Sequence, residues 1–329
     1  MMNAFPRSRA LLLSVALLSL LAGCQTETSS IPVRARQPLS RPTLALMEQK
    51  KMTKEDPILV RIFKEESELE VWKQNRDGQM ALLKTYPICR WSGELGPKLR
   101  EGDRQAPEGF YTIGPAQMNP NSGLYLAFNL GYPNAFDKSQ GRTGQFLMIH
   151  GKCKSVGCYA MTDALIEEIY GLARESFLGA NDSFQVHAFP FHMTPENMAR
   201  HANHEAYPFW RTLKEGYDYF EYSRQIPTVA VCNRRYVVNV AWPGGELNRL
   251  NPEGACPAFF RPKPDPFRPR PGEEMAEFQR VIMPGPKTRD VANIESSQRS
   301  GLTGPNGGMS TSAIGFSRST PNMSFAPAQ

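Results

Sequence analysis

The stretch Phe146-Leu147-Met148-Ile149-His150-Gly151-Lys152-Cys153-Lys154-Ser155-Val156-Gly157-Cys158-Tyr159-Ala160-Met161-Thr162-Asp163 decides how this chain is read. Phe146 to Ile149 is a compact apolar run of strand length, and it ends on His150. A short polar loop follows, and Cys158 comes eight residues after the histidine. Thr162 is a good helix N-cap. Beyond it Leu165, Ile169 and Leu172 recur at helical spacing, with Ile166, Tyr170 and Ala173 beside them. The segment therefore reads strand, histidine, loop, cysteine, helix. A nucleophilic thiol needs a base to take its proton and donors to hold the developing oxyanion. His150 offers the base. Amides just ahead of a helix offer donors, and the positive helix end, with Lys152 and Lys154, favours a thiolate. Gly157 lets the backbone turn unusually or approach closely. Taken alone, a cysteine and a histidine near each other in sequence are more often structural than catalytic.

Outward from this stretch the pattern is strand-rich. Ile58, Val60 and Ile62 alternate, Lys64-Glu65-Glu66-Ser67 turns, and Leu69 and Val71 alternate again, which predicts a hairpin. Further strands are expected over Met80 to Ile88, Gly109 to Ile113, Leu124 to Leu130, Phe184 to Phe189 and Tyr236 to Val240. Thr194-Pro195 predicts a helix running to about His204. Many strands with a few inserted helices give a mainly β or α+β domain over residues 55–257.

Several separate words around the cysteine occur in an order that resembles the L,D-transpeptidase catalytic domain, also called the YkuD-like domain, and most nearly its YafK branch. They are Met148-Ile149-His150-Gly151 and Ser155-Val156-Gly157-Cys158-Tyr159-Ala160-Met161-Thr162. Upstream lie Gly96-Pro97-Lys98 and Gly102-Asp103 to Pro107-Glu108-Gly109-Phe110-Tyr111. Asn129 to Asp137, Phe189-Pro190-Phe191 and Gly216 to Phe220 also fit the branch. The resemblance implies a β-rich domain acting on peptidoglycan stem peptides without a cofactor. It makes Cys158 the nucleophile and His150 the base, with Gly151 orienting the imidazole through its carbonyl. Ser155 and Gly157 shape the loop, and amides around Gly157, Cys158 and Tyr159 form the oxyanion hole. Two departures from the wider family stand out. Ala160 replaces an arginine common two residues after the nucleophile, and the loop from His150 to Cys158 is short. Both go with the YafK branch, which is associated with hydrolysis. An amine acceptor would give transpeptidation, water would give an amidase that frees a protein or amine from diaminopimelate, and a wall-binding lipoprotein without turnover is the non-enzymatic alternative.

The two ends read differently. Arg7 and Arg9 precede an apolar run, Ala10 to Leu20, too short to span a bilayer with flanks. Leu21-Ala22-Gly23-Cys24 follows, and small residues before a cysteine look like a bacterial lipobox. Residues 1–23 are thus an expected lipoprotein signal, with Cys24 as the lipidation site and a periplasmic protein anchored to the membrane, Gln25 favouring the outer one. Residues 24–54, with Pro32, Pro38 and Pro42, read as a flexible tether. Residues 258–329 read as a Pro-rich linker and a disordered tail.

The chain of 329 residues carries a net charge of +6, and loss of residues 1–23, which hold two arginines and no acid, leaves +4. A mild positive charge suits anionic wall peptides or headgroups, and no basic stripe with aromatic interleaving points to nucleic acid. Tyr125, Asn129, Tyr132, Arg142 and Lys152 are candidate contacts to stem-peptide carboxylates and amides, with turn and packing roles as the plain alternative. Wall-linked outer-membrane proteins are candidate partners. Of six cysteines, Cys89, Cys153, Cys232 and Cys256 remain to be placed. Cys232 and Cys256 flank a predicted hairpin, which favours their pairing and leaves Cys89 for Cys153, and four buried thiols are the alternative. His187, His192, His201 and His204 lack a familiar metal spacing and read as solvent-facing positions.

Overall fold

The computed structural model describes residues 31–241 and 250–259. The expected signal segment, Cys24 and the tail from residue 260 lie outside the described residues.

The N-terminal part corrects the expected tether. Helix α1 (Val33–Arg36) and helix α2 (Arg41–Gln49) are docked on the domain, with Ala35, Leu39, Met47 and Met52 in its main core. Ser40 caps α2 by accepting from the Thr43 amide, and Pro42 occupies the first turn, where no amide proton is needed. The Arg174 guanidinium donates to the carbonyls of Ala35 at 2.7 Å and Gln37 at 2.9 Å. The prolines that suggest a tether thus start helices and shape the turns between them.

The hairpin forms as expected. Strand β1 (Ile58–Phe63) pairs antiparallel with β2 (Glu68–Gln74), and β2 with β3 (Met80–Pro87). Next come β4 (Arg90–Trp91), β5 (Gly109–Ile113), β6 (Met118–Asn119), β7 (Ala127–Asn129) and helix α3 (Ala135–Ser139). Strand β8 (Met148–His150), β9 (Tyr159–Ala160), helix α4 (Asp163–Leu178) and β10 (Phe184–Phe189) follow. The chain continues through α5 (Pro195–Arg200), α6 (Tyr207–Ser223), β11 (Val229–Cys232) and β12 (Arg235–Val238).

One sheet has the order β3-β2-β1-β10-β5, a second β4-β9-β8-β7-β6, and β11 with β12 make a small hairpin. The largest core cluster takes Val60, Ile62 and Val186 from the first sheet, Phe128, Ile149 and Tyr159 from the second, and Ile166, Ile169 and Leu172 from α4. On the other face of the first sheet Phe63 and Phe189 meet Trp210, Leu213 and Tyr217 of α6. Every residue of β1 is consequently buried, although its alternation suggests one wet face. Even Arg61 is enclosed, paired with Glu221 at 2.8 Å and ringed by Phe63, Tyr217 and Phe220.

Several strands are shorter than their apolar runs. Tyr125, with φ 73°, interrupts the run expected from Leu124, and Phe146, with φ 55°, delays the strand that reaches His150. Asn239, at φ 49°, ends β12. These left-handed residues break the pleat that a run of hydrophobicity alone would extend. Helix α5 stops at Arg200 rather than near His204. Both predicted caps are present: Thr162 accepts from Leu165 N, and Thr194 from Asn197 N.

Candidate active site

The site is built where three short strands run side by side. Strand β8 pairs in parallel with β9, Ile149 opposite Tyr159 and His150 opposite Ala160. Extending that register by one residue sets Cys158 opposite Met148. His150 and Cys158 then have the same parity, so both side chains leave the same face of the sheet. Gly151 N donates to the carbonyls of Leu124 at 3.0 Å and Leu126 at 3.2 Å, and Lys152 N to Asp163 Oδ1 at 2.7 Å. The base is therefore held by strand, loop and the first residue of α4 together.

The imidazole of His150 is buried, and its Nδ1 lies 2.6 Å from the Gly151 carbonyl oxygen. A carbonyl only accepts, so Nδ1 carries the proton and Nε2 keeps its lone pair. The tautomer is set without a carboxylate, as the resemblance implies. Burial pushes the His150 pKa down, against the opposing effect of the Gly151 hydrogen bond.

Cys158 is half-buried and donates its thiol proton to the Phe146 carbonyl at 3.7 Å. Burial pushes the thiol pKa up, while a backbone hydrogen bond at Met148 and the charge of Lys98 pull it down without reversing the shift. This runs against the expected thiolate. Lys152 and Lys154 are exposed, where water and salt screen their charge. Both shifts run toward the neutral forms, burial favouring the thiol at Cys158 and the uncharged imidazole at His150.

The loop amides correct a second expectation. Ser155 Oγ donates to the Cys158 carbonyl at 2.7 Å and accepts from Cys158 N at 3.1 Å and Gly157 N at 3.3 Å. Gly157 N also donates to the hydroxyl of Ser92. Two of the three expected oxyanion amides, those of Gly157 and Cys158, therefore already hold serine hydroxyls. Tyr159 is fully buried and its hydroxyl donates to the Pro107 carbonyl at 2.6 Å, anchoring the loop to the segment before β5. Gly157 sits at φ 119°, a conformation that side-chain-bearing residues rarely adopt.

Both favoured disulfides are present, Cys89–Cys153 and Cys232–Cys256. Cys153 lies inside the loop between His150 and Cys158, so the first bridge ties that loop to the end of β3. Cys158 is the free cysteine among the described residues.

The proposed substrate contacts divide. Arg142 is buried, donates to Asp137 Oδ1 at 2.8 Å and lies over Phe136 and Phe209, so it is a packing residue. Tyr132 is buried, with its hydroxyl on the Lys98 carbonyl at 3.1 Å. Asn129 Oδ1 accepts from Gly131 N at 2.9 Å and shapes a turn. The Tyr125 hydroxyl is held by Glu167, and its carbonyl accepts from Arg34 Nε at 2.7 Å. Lys152 alone is exposed. Ser92, which meets Gly157 N and Ser155 Oγ, and Lys98, whose charge acts on Cys158, come from a distant segment, and of the two only Lys98 falls in a motif named in the sequence. Lys64 positions that segment: its buried ammonium is within 3.1 Å of the Glu94, Gly96 and Ala106 carbonyls and of Glu108.

The histidines outside the site have other partners. His187 is fully buried rather than solvent-facing, with Nε2 at 2.8 Å from Gln185 Oε1. His201 lies against Glu65, and His204 stacks on Trp210. Among the described residues no three His, Cys, Asp or Glu side chains converge as a metal site.

The comparisons with known proteins agree with this geometry. The family model of the L,D-transpeptidase catalytic domain, YkuD, matches residues 58–181, which include His150 and Cys158. The chain is 46% identical over 192 residues to "Putative L,D-transpeptidase YafK" of Escherichia coli strain K12, covering 58% of this chain and 78% of the relative. The protein of the same name in Escherichia coli O157:H7 gives the same figures. Among solved structures, the helical cell shape determining protein Pgp2 of Campylobacter jejuni is 25% identical, over 44% of this chain and 54% of that one, with a TM-score of 0.33. That score is too low to carry weight, and the assignment rests on the first two findings. By its family model and its identity to these relatives, the chain belongs to the L,D-transpeptidase, or YkuD, family.

Proposed function

We propose that the protein is an exported cysteine acyltransferase acting on peptidoglycan stem peptides, with Cys158 as nucleophile and His150 as base. One observation carries this reading. Cys158 is the free thiol of the described residues, and the β8–β9 register, continued by one residue, gives it the parity of a histidine whose Nδ1 is engaged by the Gly151 carbonyl, which leaves the lone pair on Nε2. In the first step Nε2 takes the Sγ proton as Sγ attacks the carbonyl at the L-centre of diaminopimelate. The tetrahedral intermediate collapses, the amine leaves with the proton from His150, and a thioester remains. In the second step Nε2 deprotonates the acceptor, which attacks the thioester and restores the thiol. Burial favours the neutral form of both groups, which suits a proton transfer that accompanies attack.

An amine acceptor makes the step a transpeptidation. Hydrolysis, releasing a protein or amine linked to diaminopimelate, is the second reading, and Ala160 favours it. That residue is fully buried between Arg90 and His150 in the sheet, so position 160 itself supplies no guanidinium toward an acceptor carboxylate. The export reading of residues 1–24 goes with this proposal: a periplasmic protein, lipid-anchored through Cys24, working at the wall. Incubation with sacculi bearing covalently linked protein tests it. Released protein supports hydrolysis, and new cross-links or newly attached amines support transfer. If neither occurs, and Cys158→Ala changes no wall product in the cell, the enzymatic proposal fails.

A further inference from the structure

Strand β4 is two residues long, yet it is fastened to the nucleophile loop at both ends. At one end Cys89 is joined to Cys153. At the other, the β4–β9 register, Trp91 opposite Tyr159 and Arg90 opposite Ala160, places Ser92 opposite Cys158 when continued by one residue. The Ser92 carbonyl accepts from Ala106 N at 2.9 Å, so its backbone is fixed. Its hydroxyl accepts the Gly157 amide and lies 3.0 Å from Ser155 Oγ.

The proton count orders this cluster. Ser155 spends its single hydroxyl proton on the Cys158 carbonyl. The contact between the two serines must then use the Ser92 proton, donated to Ser155 Oγ. The result is a chain from Ser92 O–H to Ser155 O–H to the Cys158 carbonyl, with the Gly157 amide donating chiefly to the Ser92 oxygen and the Cys158 amide to the Ser155 oxygen. Such chains polarise along their length and hold each member more firmly than a single bond would. Gly157, at φ 119°, has no side chain of its own to restrict it, so outside partners must.

We propose that Ser92 is a positioning residue for the acyl-transfer reaction: acting through Ser155 and the Gly157 amide, it fixes the turn that presents Cys158 to the substrate carbonyl. This rests on the reading of Cys158 as the nucleophile. Ser92 touches no reacting atom. Its effect is on the rate of the attack step and not on substrate binding, since a displacement of about 1 Å at a nucleophile costs on the order of 100-fold in rate.

The test compares wild type, Ser92→Ala and Ser92→Thr as non-reduced proteins, each first shown to be folded by its thermal transition. Thioester formation at Cys158 is followed by mass spectrometry over a range of concentrations of a diaminopimelate-containing tetrapeptide muropeptide. Ser92→Ala is expected to lower the maximal acylation rate about 10- to 100-fold with half-saturation unchanged, and Ser92→Thr, which keeps the hydroxyl, to recover most of it. Equal rates in wild type and a folded Ser92→Ala would overturn the proposal, as would a folded Ser92→Thr as slow as Ser92→Ala. Absence of a thioester in wild type would instead sink the nucleophile assignment itself. Should Ser92→Ala not fold, amide exchange of wild type decides: Gly157 N–H is expected to be protected, and exchange at the rate of a free loop amide contradicts the proposal.

Discussion

At the scale of the residue, Cys158 and His150 are tuned by the same cause in opposite directions. Burial penalises whichever form is charged, so it raises the thiol and lowers the imidazole. Iodoacetamide labelling of Cys158 in the folded, non-reduced protein is expected to rise with pH through a midpoint above the ordinary thiol value of about 8.5. A midpoint below 7 would mean that the loop lysines and the helix end win after all. The placement of these two residues was legible in the sequence because it depends on local order, an apolar strand ending in histidine, a short loop, a cysteine and a capped helix, whereas their proposed roles came from the family resemblance. The state of the thiol was not legible, because it depends on what covers the site. Residues written eight apart reveal their spacing but not their exposure, and the oxyanion amides were misjudged for the same reason. Ser92, which reaches the Gly157 amide, lies far upstream and is brought there only by strand register.

At the scale of the element, the loop from His150 to Cys158 is stapled to β3 and β4 by Cys89–Cys153. Replacing both cysteines by serine is expected to cost about 2–4 kcal/mol of stability, read by denaturant unfolding, and to slow acylation of Cys158. Unchanged stability and rate would show that the loop holds its shape without the bridge. Helix α6 shows what hydrophobic pattern conceals. Its aromatic residues and internal Gly216 are poor helix formers, yet Trp210, Leu213, Tyr217 and Phe220 recur at helical spacing and form its buried face, a signal that the sequence reading passed over. The glycine is explained by contact: a β-carbon there would lie 2.6 Å from Phe110 Cζ. The Phe110 ring is itself packed against Tyr236, His187 and Phe189 and has nowhere to swing. Gly216→Ala is therefore expected to destabilise by about 1–3 kcal/mol through overpacking, despite the better helix propensity of alanine. A stabilised variant in thermal or urea unfolding would contradict this account of the α6–β5 contact. The β1–β2 hairpin and the caps at Thr162 and Thr194 were legible because turn and cap chemistry is local.

At the scale of the whole molecule, two sheets share one core with α4, and the first sheet is covered on its far face by α6. The segment Val33 to Met52 belongs to that body. Its prolines and charges suggested a tether because sequence shows composition, whereas the burial of Leu39, Met47 and Met52 comes from docking on the main core, where Arg174 of α4 also holds the Ala35 carbonyl. A chain spanning residues 55–259 is expected to be markedly less stable than one spanning 31–259, since each buried Leu or Met side chain contributes roughly 1.5–3 kcal/mol. Matching thermal transitions of the two would restore the tether reading. Around this scaffold the central claim is a single covalent event. The most direct measurement is intact and peptide-level mass spectrometry of the non-reduced protein after brief exposure to diaminopimelate-containing muropeptides. The account predicts an acyl adduct on Cys158, absent in Cys158→Ala and strongly slowed in His150→Gln. Turnover without any adduct on Cys158, or full activity in the Cys158→Ala protein, would contradict it.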